Sequence, residues 1–187
     1  IKTTYYLVIH LNSLHIFLMK KFSCTILNKY QKREIDFCTK CTQKCFVKCY
    51  GLLINNKSKT IGIIYEYLCN NSLEYFIQNN VISPIFSFIA MIRIFDGIKY
   101  LYNNKLIHRD LKPSNILLNN DFIPYISDNE TVLNIDEIKD YTVDVGSNSY
   151  MSPEQFCGKL SNYKSDVFSF GLIIYFLFEH KHLIKNA

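Results

Sequence analysis

The period of the apolar residues changes once along this chain, near Cys69, and that change restricts the fold more than any other feature. Before it, apolar residues come in short β-branched and aromatic runs: Tyr5 to Ile9, Ile16 to Met19, Phe46 to Leu53 and Thr60 to Leu68. Runs of that length, broken by polar turns at Asn12-Ser13 and Asn55-Asn56-Lys57-Ser58, read as strands. One helical pattern interrupts them over 31–43, with Ile35, Cys38 and Cys41 at helical spacing. Beyond Cys69 the period is helical. Asn71-Ser72 cap a short helix carrying Leu73, Phe76 and Ile77. Ser83 as N-cap and Pro84 at the first helical position then open a long one. Its apolar face is expected through Phe88, Met91, Ile92, Phe95, Ile98 and Leu101. Two short strands over 116–126 flank Asn119-Asn120-Asp121, an irregular polar stretch follows, and Asp166 to Glu179 form a last apolar helix. Sheet first and helices after is the order of an α+β protein in two lobes.

Composition bounds the function classes. Of 187 residues 49% are hydrophobic, enough for a sizeable core. The 21 Lys and Arg against 16 Asp and Glu leave a net charge of +5. That excess is mild and lacks the dense basic stripe of a nucleic-acid binder, so no nucleic-acid partner is expected. The longest nearly apolar run, Val167 to Phe178, falls short of the roughly 20 residues that span a bilayer. No charged segment leading into an apolar one follows Ile1, so no signal peptide is read. The expectation is an intracellular, cytoplasmic chain with no membrane span.

Seven cysteines are present, and Cys38, Cys41, Cys45 and Cys49 have the spacing C-x2-C-x3-C-x3-C. Zinc is one reading, but a zinc site normally pairs two knuckles across a longer loop. The same steps place all four on one face of a single helix, where free cysteine packs as a small hydrophobe. Packing is the preferred reading, ahead of zinc or a disulfide framework.

The string that carries chemistry is Ile107-His108-Arg109-Asp110-Leu111-Lys112-Pro113-Ser114-Asn115-Ile116-Leu117-Leu118. It matches the loop H-R-D-L-x-x-x-N at every fixed position, and the chain therefore resembles a eukaryotic-type protein kinase. Phosphoryl transfer needs positioning and charge neutralisation more than covalent chemistry. The resemblance implies that Asp110 accepts the substrate hydroxyl proton, Lys112 faces the transferring phosphate and Asn115 holds a metal. Lys112-Pro113-Ser114-Asn115 is similar to the serine/threonine form of this loop.

Further resemblances follow in family order. Asp128 stands where the family has the Mg²⁺-binding Asp of D-F-G, and Ser152-Pro153-Glu154 resembles A-P-E. Gly146 to Met151 resembles the segment that cradles the acceptor residue. Asp166 matches the helix Asp that holds the catalytic-loop backbone. Upstream, Phe17-Leu18-Met19-Lys20 sits where V-A-I-K would be, although Lys21 is adjacent, and Glu34 matches the helix Glu that pairs with that lysine. Ile64 to Leu68 is similar to the strand and hinge that bind adenine through backbone groups, here those of Glu66 and Leu68, with Tyr65 as gatekeeper. The resemblance implies a partial kinase domain over 1–187, with a small β-rich N-lobe over 1–66 and a larger helical C-lobe over 67–187. It implies ATP and Mg²⁺ as cofactors, a protein substrate with a Ser or Thr acceptor, and an upstream activating kinase. Arg109 would read a phosphate on the segment 129–153, with Thr142, Ser147 and Ser149 as candidate acceptors.

Three departures accompany the match. D-F-G is Asp128-Asn129-Glu130, which replaces a buried apolar side chain by an amide and a flexible glycine by a carboxylate. The first glycine is Gly51, so the glycine-rich phosphate loop is expected to be missing from the N-lobe. The chain stops at Ala187, so the last helices of the C-lobe are expected to be missing too, leaving Glu154 a buried carboxylate without its partner. A pseudokinase acting as a nucleotide-binding or scaffolding module, and a non-functional fragment, stay open beside the enzyme reading.

Overall fold

Alternation along Thr3–Ile9 (β1) and Ile16–Ser23 (β2) pairs them as an antiparallel hairpin in a computed structural model of the chain, which describes residues 3–23, 26–55, 60–137 and 148–184. The connecting turn is held by Leu14 N–H donating to His10 O at 2.8 Å and by His10 Nδ1 lying 2.8 Å from Ser13 Oγ. Helix α1 (Lys29–Lys40) starts in a capping box: Asn28 Oδ1 accepts from Gln31 N–H and Gln31 Oε1 from Asn28 N–H. Strands β3 (Cys49–Asn55) and β4 (Thr60–Glu66) complete an antiparallel sheet in the order β1-β2-β4-β3. Its inner face buries Phe22, Ile63 and Tyr65 against Cys38 and Val47.

Helices dominate the rest. Ser83 Oγ accepts from Phe86 N–H and Pro84 occupies the first turn of α3, and α2 is capped the same way by Ser72. The order is α2 (Leu73–Asn79), α3 (Pro84–Asn103), β5 (Leu106–Ile107), β6 (Ile116–Leu118), β7 (Pro124–Ile126), β8 (Leu133–Asn134), α4 (Pro153–Phe156) and α5 (Tyr163–Glu179). Two-stranded pairs β5-β8 and β6-β7 each pack against α3. The second core gathers Leu73, Ile94, Leu101, Leu111, Ile116, Ile126, Ile173 and Phe176, each worth about 1.5–3 kcal/mol when fully buried. The result is a two-lobed α+β fold. Among the described residues no helix is long and apolar enough to cross a membrane.

Three expectations need correction. Helix α1 ends at Lys40, so the four cysteines do not share one helix: Cys38 is on α1, Cys41 at its C-cap, Cys45 in the loop and Cys49 on β3. No metal-binding cluster forms among the described residues. Strand β3 starts at Cys49, and Phe46 makes only an isolated bridge to Ile126. On α3 the buried face is Ser87, Ala90, Ile94, Gly97, Ile98 and Leu101, whereas Phe88 (52%), Ile92 (55%) and Phe95 (51%) are exposed. Small residues win that face because the neighbours come close. Ser87 Oγ donates to Leu177 O on α5 at 2.9 Å, and a Cβ at Gly97 would collide with the side chain of Ile126.

Candidate active site

Asp110, Lys112 and Asn115 lie on the loop that leaves β5, and the first turn of α5 holds that loop's backbone. The buried carboxylate of Asp166 accepts from His108 N–H at 2.7 Å and Arg109 N–H at 2.9 Å. Thr131 Oγ1 donates to His108 O at 2.7 Å, Arg109 Nε to Thr131 O at 2.8 Å, and Gln155 Nε2 to Arg109 O at 3.1 Å. These bonds hold Arg109 in the left-handed region, at φ 73, which a non-glycine residue adopts only when its surroundings enforce it. On this frame Lys112 Nζ is 2.8 Å from Asp110 Oδ2. Asn115 Nδ2 donates to both the backbone oxygen (2.9 Å) and Oδ2 (3.0 Å) of Asp110. Three functional groups are thereby fixed against one another.

Ser127 ties this cluster to the next strand. Its N–H and hydroxyl both donate to Asn115 O, at 2.9 and 2.8 Å. The following residue, Asp128, is left-handed at φ 59. Burial, and then the charges of Glu130 and Asp110, push its carboxyl above the ordinary carboxylate range against the pull of Lys20.

Across from it, Lys20 on β2 and Glu34 on α1 form a buried ion pair at 2.8 Å. Tyr65 adds its hydroxyl to Glu34 Oε1 at 3.0 Å. Lys20 Nζ also lies 3.2 Å from Glu130 and 3.9 Å from Asp128. Burial alone would lower the Lys20 pKa, but Glu34, Tyr5 and Glu130 together raise it, so the ammonium stays charged. Burial pushes the Glu34 carboxyl up, against Lys20 and the Tyr65 hydrogen bond. Between the sheet and β6-β7 opens a cleft of about 250 Å³ with Leu18, Val47 and Leu117 as apolar walls. Lys20, Glu34, Glu66, Leu68 and Asp128 all line it.

The chain matches the protein kinase domain model over residues 3–187. It belongs to the protein kinase domain family. A G-type lectin S-receptor-like serine/threonine-protein kinase of Arabidopsis thaliana is 39% identical over 153 residues, 76% of this chain and 18% of that protein. Cysteine-rich receptor-like protein kinase 25 of the same plant is 34% identical over 76% of this chain and 22% of that protein. The chain thus spans about a fifth of the length of the curated relatives it matches. Among solved structures, a chain of the yeast RNA Pol II CTD kinase CTDK-1 complex superposes with a TM-score of 0.88 at 24% identity, over 100% of this chain and 62% of that one. That likeness establishes the kinase fold.

Within this kinase domain Lys20 faces Glu34 and the cleft, whereas Lys21 lies beside Tyr6. The sequence reading missed the reach of Glu130 to Lys20, the Tyr65–Glu34 bond, and the clamps from Thr131 and Gln155. No local pattern announces these contacts, because each joins residues far apart in the chain. Glu154 also needs correction. It is only half-buried, and Ser165 Oγ donates to its carboxylate at 2.7 Å. Desolvation pushes its pKa up, but that bond, together with Ser152, a backbone hydrogen bond and the charge of Lys164, holds it below the usual value. Arg109 is buried, and Arg33 of α1 is near enough for its charge to disfavour the Arg109 cation. Thr142 and Ser147 lie outside the described residues; Ser149 precedes the buried Tyr150.

Proposed function

We propose that this kinase domain transfers the γ-phosphate of Mg²⁺-bound ATP to serine or threonine hydroxyls of a protein substrate inside the cell. The observation that carries the reading is the joining of two clusters: the Lys20–Glu34 pair and Asp128 line one cleft, and Ser127 ties Asp128 to Asp110, Lys112 and Asn115. The donor set fits the cofactors. Asp128 offers a carboxylate, and Asn115, with its amide nitrogen committed to Asp110, offers an oxygen, both hard ligands suited to Mg²⁺. One ammonium faces Glu34, Glu130 and Asp128, a surplus of negative charge that a divalent cation would offset.

Bound there, ATP supplies the transferable phosphoryl group and Mg²⁺ neutralises charge on it. Lys20, held by Glu34, would grip phosphate oxygens, and the backbones of Glu66 and Leu68 would bond the adenine edge. Asp110 would orient the acceptor hydroxyl and take its proton, while Lys112 offsets charge at the transferring group. In this reading the cleft divides an N-lobe of residues 1–66 from a C-lobe of 67–187. Segment 129–153 would take its activating phosphate from an upstream kinase, with Arg109 as the reader. The serine/threonine assignment is supported by Lys112-Pro113-Ser114-Asn115 and by relatives named as serine/threonine-protein kinases.

The test is transfer of label from γ-labelled ATP, with Mg²⁺, to a mixed Ser/Thr peptide pool, followed by phosphoamino-acid analysis. Phosphoserine or phosphothreonine is expected. Mg²⁺-dependent nucleotide binding with no transfer would return the pseudokinase reading.

A further inference from the structure

Two cysteines of the sheet-side core meet without a role in the site just described. Cys38 lies on α1 one turn beyond Glu34, so both stand on the buried face of that helix. Cys49 opens β3 directly opposite Tyr65 of β4, and opposed residues of an antiparallel pair share one face of the sheet. The helix face and the sheet face converge, and Cys49 packs against the cluster that buries Cys38. Their other contacts are weak: Cys38 Sγ is 3.4 Å from Ile35 O and Cys49 Sγ 3.8 Å from Gly51 O.

Both thiols are free, Cys38 at 6% exposure and Cys49 only half-buried. Their chemistry is unequal. The hydrogen bond from Cys38, outweighing burial, lowers the Cys49 thiol to about 7, whereas that bond and then burial push Cys38 up. Cys49 is thus the more acidic thiol and stands on the accessible side, with Cys38 buried behind it. Attacking thiolate in front and resolving thiol adjacent is the arrangement that peroxide-sensing pairs need.

We propose that Cys38 and Cys49 form a reversible, peroxide-driven disulfide that clamps α1 onto the sheet. The Cys49 thiolate attacks one oxygen of hydrogen peroxide: an S–O bond forms, the O–O bond breaks, and the departing hydroxide takes a proton to become water. Cys38 sulfur then attacks the sulfenic sulfur of Cys49. The S–S bond forms, the S–O bond breaks, and the Cys38 proton leaves with that hydroxide as a second water. Two thiols and one peroxide thus give one disulfide and two waters. The link fixes α1 one turn from Glu34, whose carboxylate already holds Lys20 and Tyr65, and a thiol reductant releases it.

The full chain is treated with hydrogen peroxide, blocked with N-ethylmaleimide in denaturant and mapped as peptides without reduction. A Cys38–Cys49 linked pair is expected, lost on reduction, with Tm of the oxidised chain raised by on the order of 5 °C. Exposed Cys69 and Cys157 are the internal controls. Cys38→Ala should leave Cys49 as a sulfenic acid that dimedone traps. Alkylation of Cys38 and Cys49 as complete after peroxide as before it, or linkage of Cys49 to Cys24 or another cysteine, overturns the proposal. If Cys38→Ala fails to fold, the linked peptide in the native chain decides alone.

Discussion

The ammonium of Lys20 lies 3.2 Å from the carboxylate of Glu130, a residue that stands where the kinase pattern has glycine. At the lysine it would compete with a nucleotide for the same cation. The Glu130 side chain is 44% exposed, and a half-exposed pair of this kind contributes about 0.3–1 kcal/mol. Glu130→Gln should therefore tighten Mg²⁺-ATP binding by about two- to fivefold. Calorimetric titration of parent and variant checks this, and weaker binding by the variant would contradict it.

Asn129 is 2% exposed, and its Oδ1 has no hydrogen-bond partner among the described residues. The cost expected for an amide in a phenylalanine position is thus realised in the structure, where α1 packs against residues 129–131. An unsatisfied buried polar atom costs about 1–3 kcal/mol. Asn129→Leu, close in volume and apolar, should raise stability by roughly 1 kcal/mol, read as a higher midpoint in urea unfolding at unchanged slope. A lower midpoint would show that the amide is satisfied by other means.

Much of this site was legible because its groups are contiguous. Asp110, Lys112 and Asn115 fall within six residues, and a loop so short has few ways to arrange them. Helix starts at Ser72 and Ser83 were equally plain, since capping is a local interaction. The buried face of α3 was not. Large apolar residues are the visible signal along a helix, yet Ser87, Ala90 and Gly97 take the inner side because α5 and Ile126 approach too closely for anything bigger. The meetings of Lys20 with Glu130, Tyr65 with Glu34 and Cys38 with Cys49 depend on three-dimensional placement of separate elements, which no period encodes.

Acid should act through His108. It is fully buried, and burial lowers its pKa below the ordinary 6.5, so the folded protein holds it neutral. An unfolded chain then binds more protons below that value. The stability contributed is fully present above pH ~6.5 and is lost as pH falls through the folded pKa, by at most ~1.4 kcal/mol per pH unit. Stability measured by urea unfolding across this range should fall more steeply for the parent than for His108→Gln. Equal slopes would mean that His108 does not titrate between the two states.

Gly171 sits on the exposed side of α5 with nothing within 4 Å of the position a Cβ would take. Glycine within a helix costs about 0.5–1 kcal/mol relative to alanine. Gly171→Ala should stabilise the chain by that amount, raising Tm by about 2–4 °C. A lowered Tm would mean that the surface of α5 is packed against something at this position.

In the proposed reaction Asp110 positions a hydroxyl for phosphoryl transfer while a separate cleft binds the nucleotide. Label transfer from γ-labelled ATP to Ser/Thr peptides, measured for the parent and Asp110→Ala alongside the Mg²⁺-ATP thermal shift of each, separates the two roles. Asp110→Ala should lose transfer by at least about 100-fold with its thermal shift retained. Equal transfer by both proteins would contradict it.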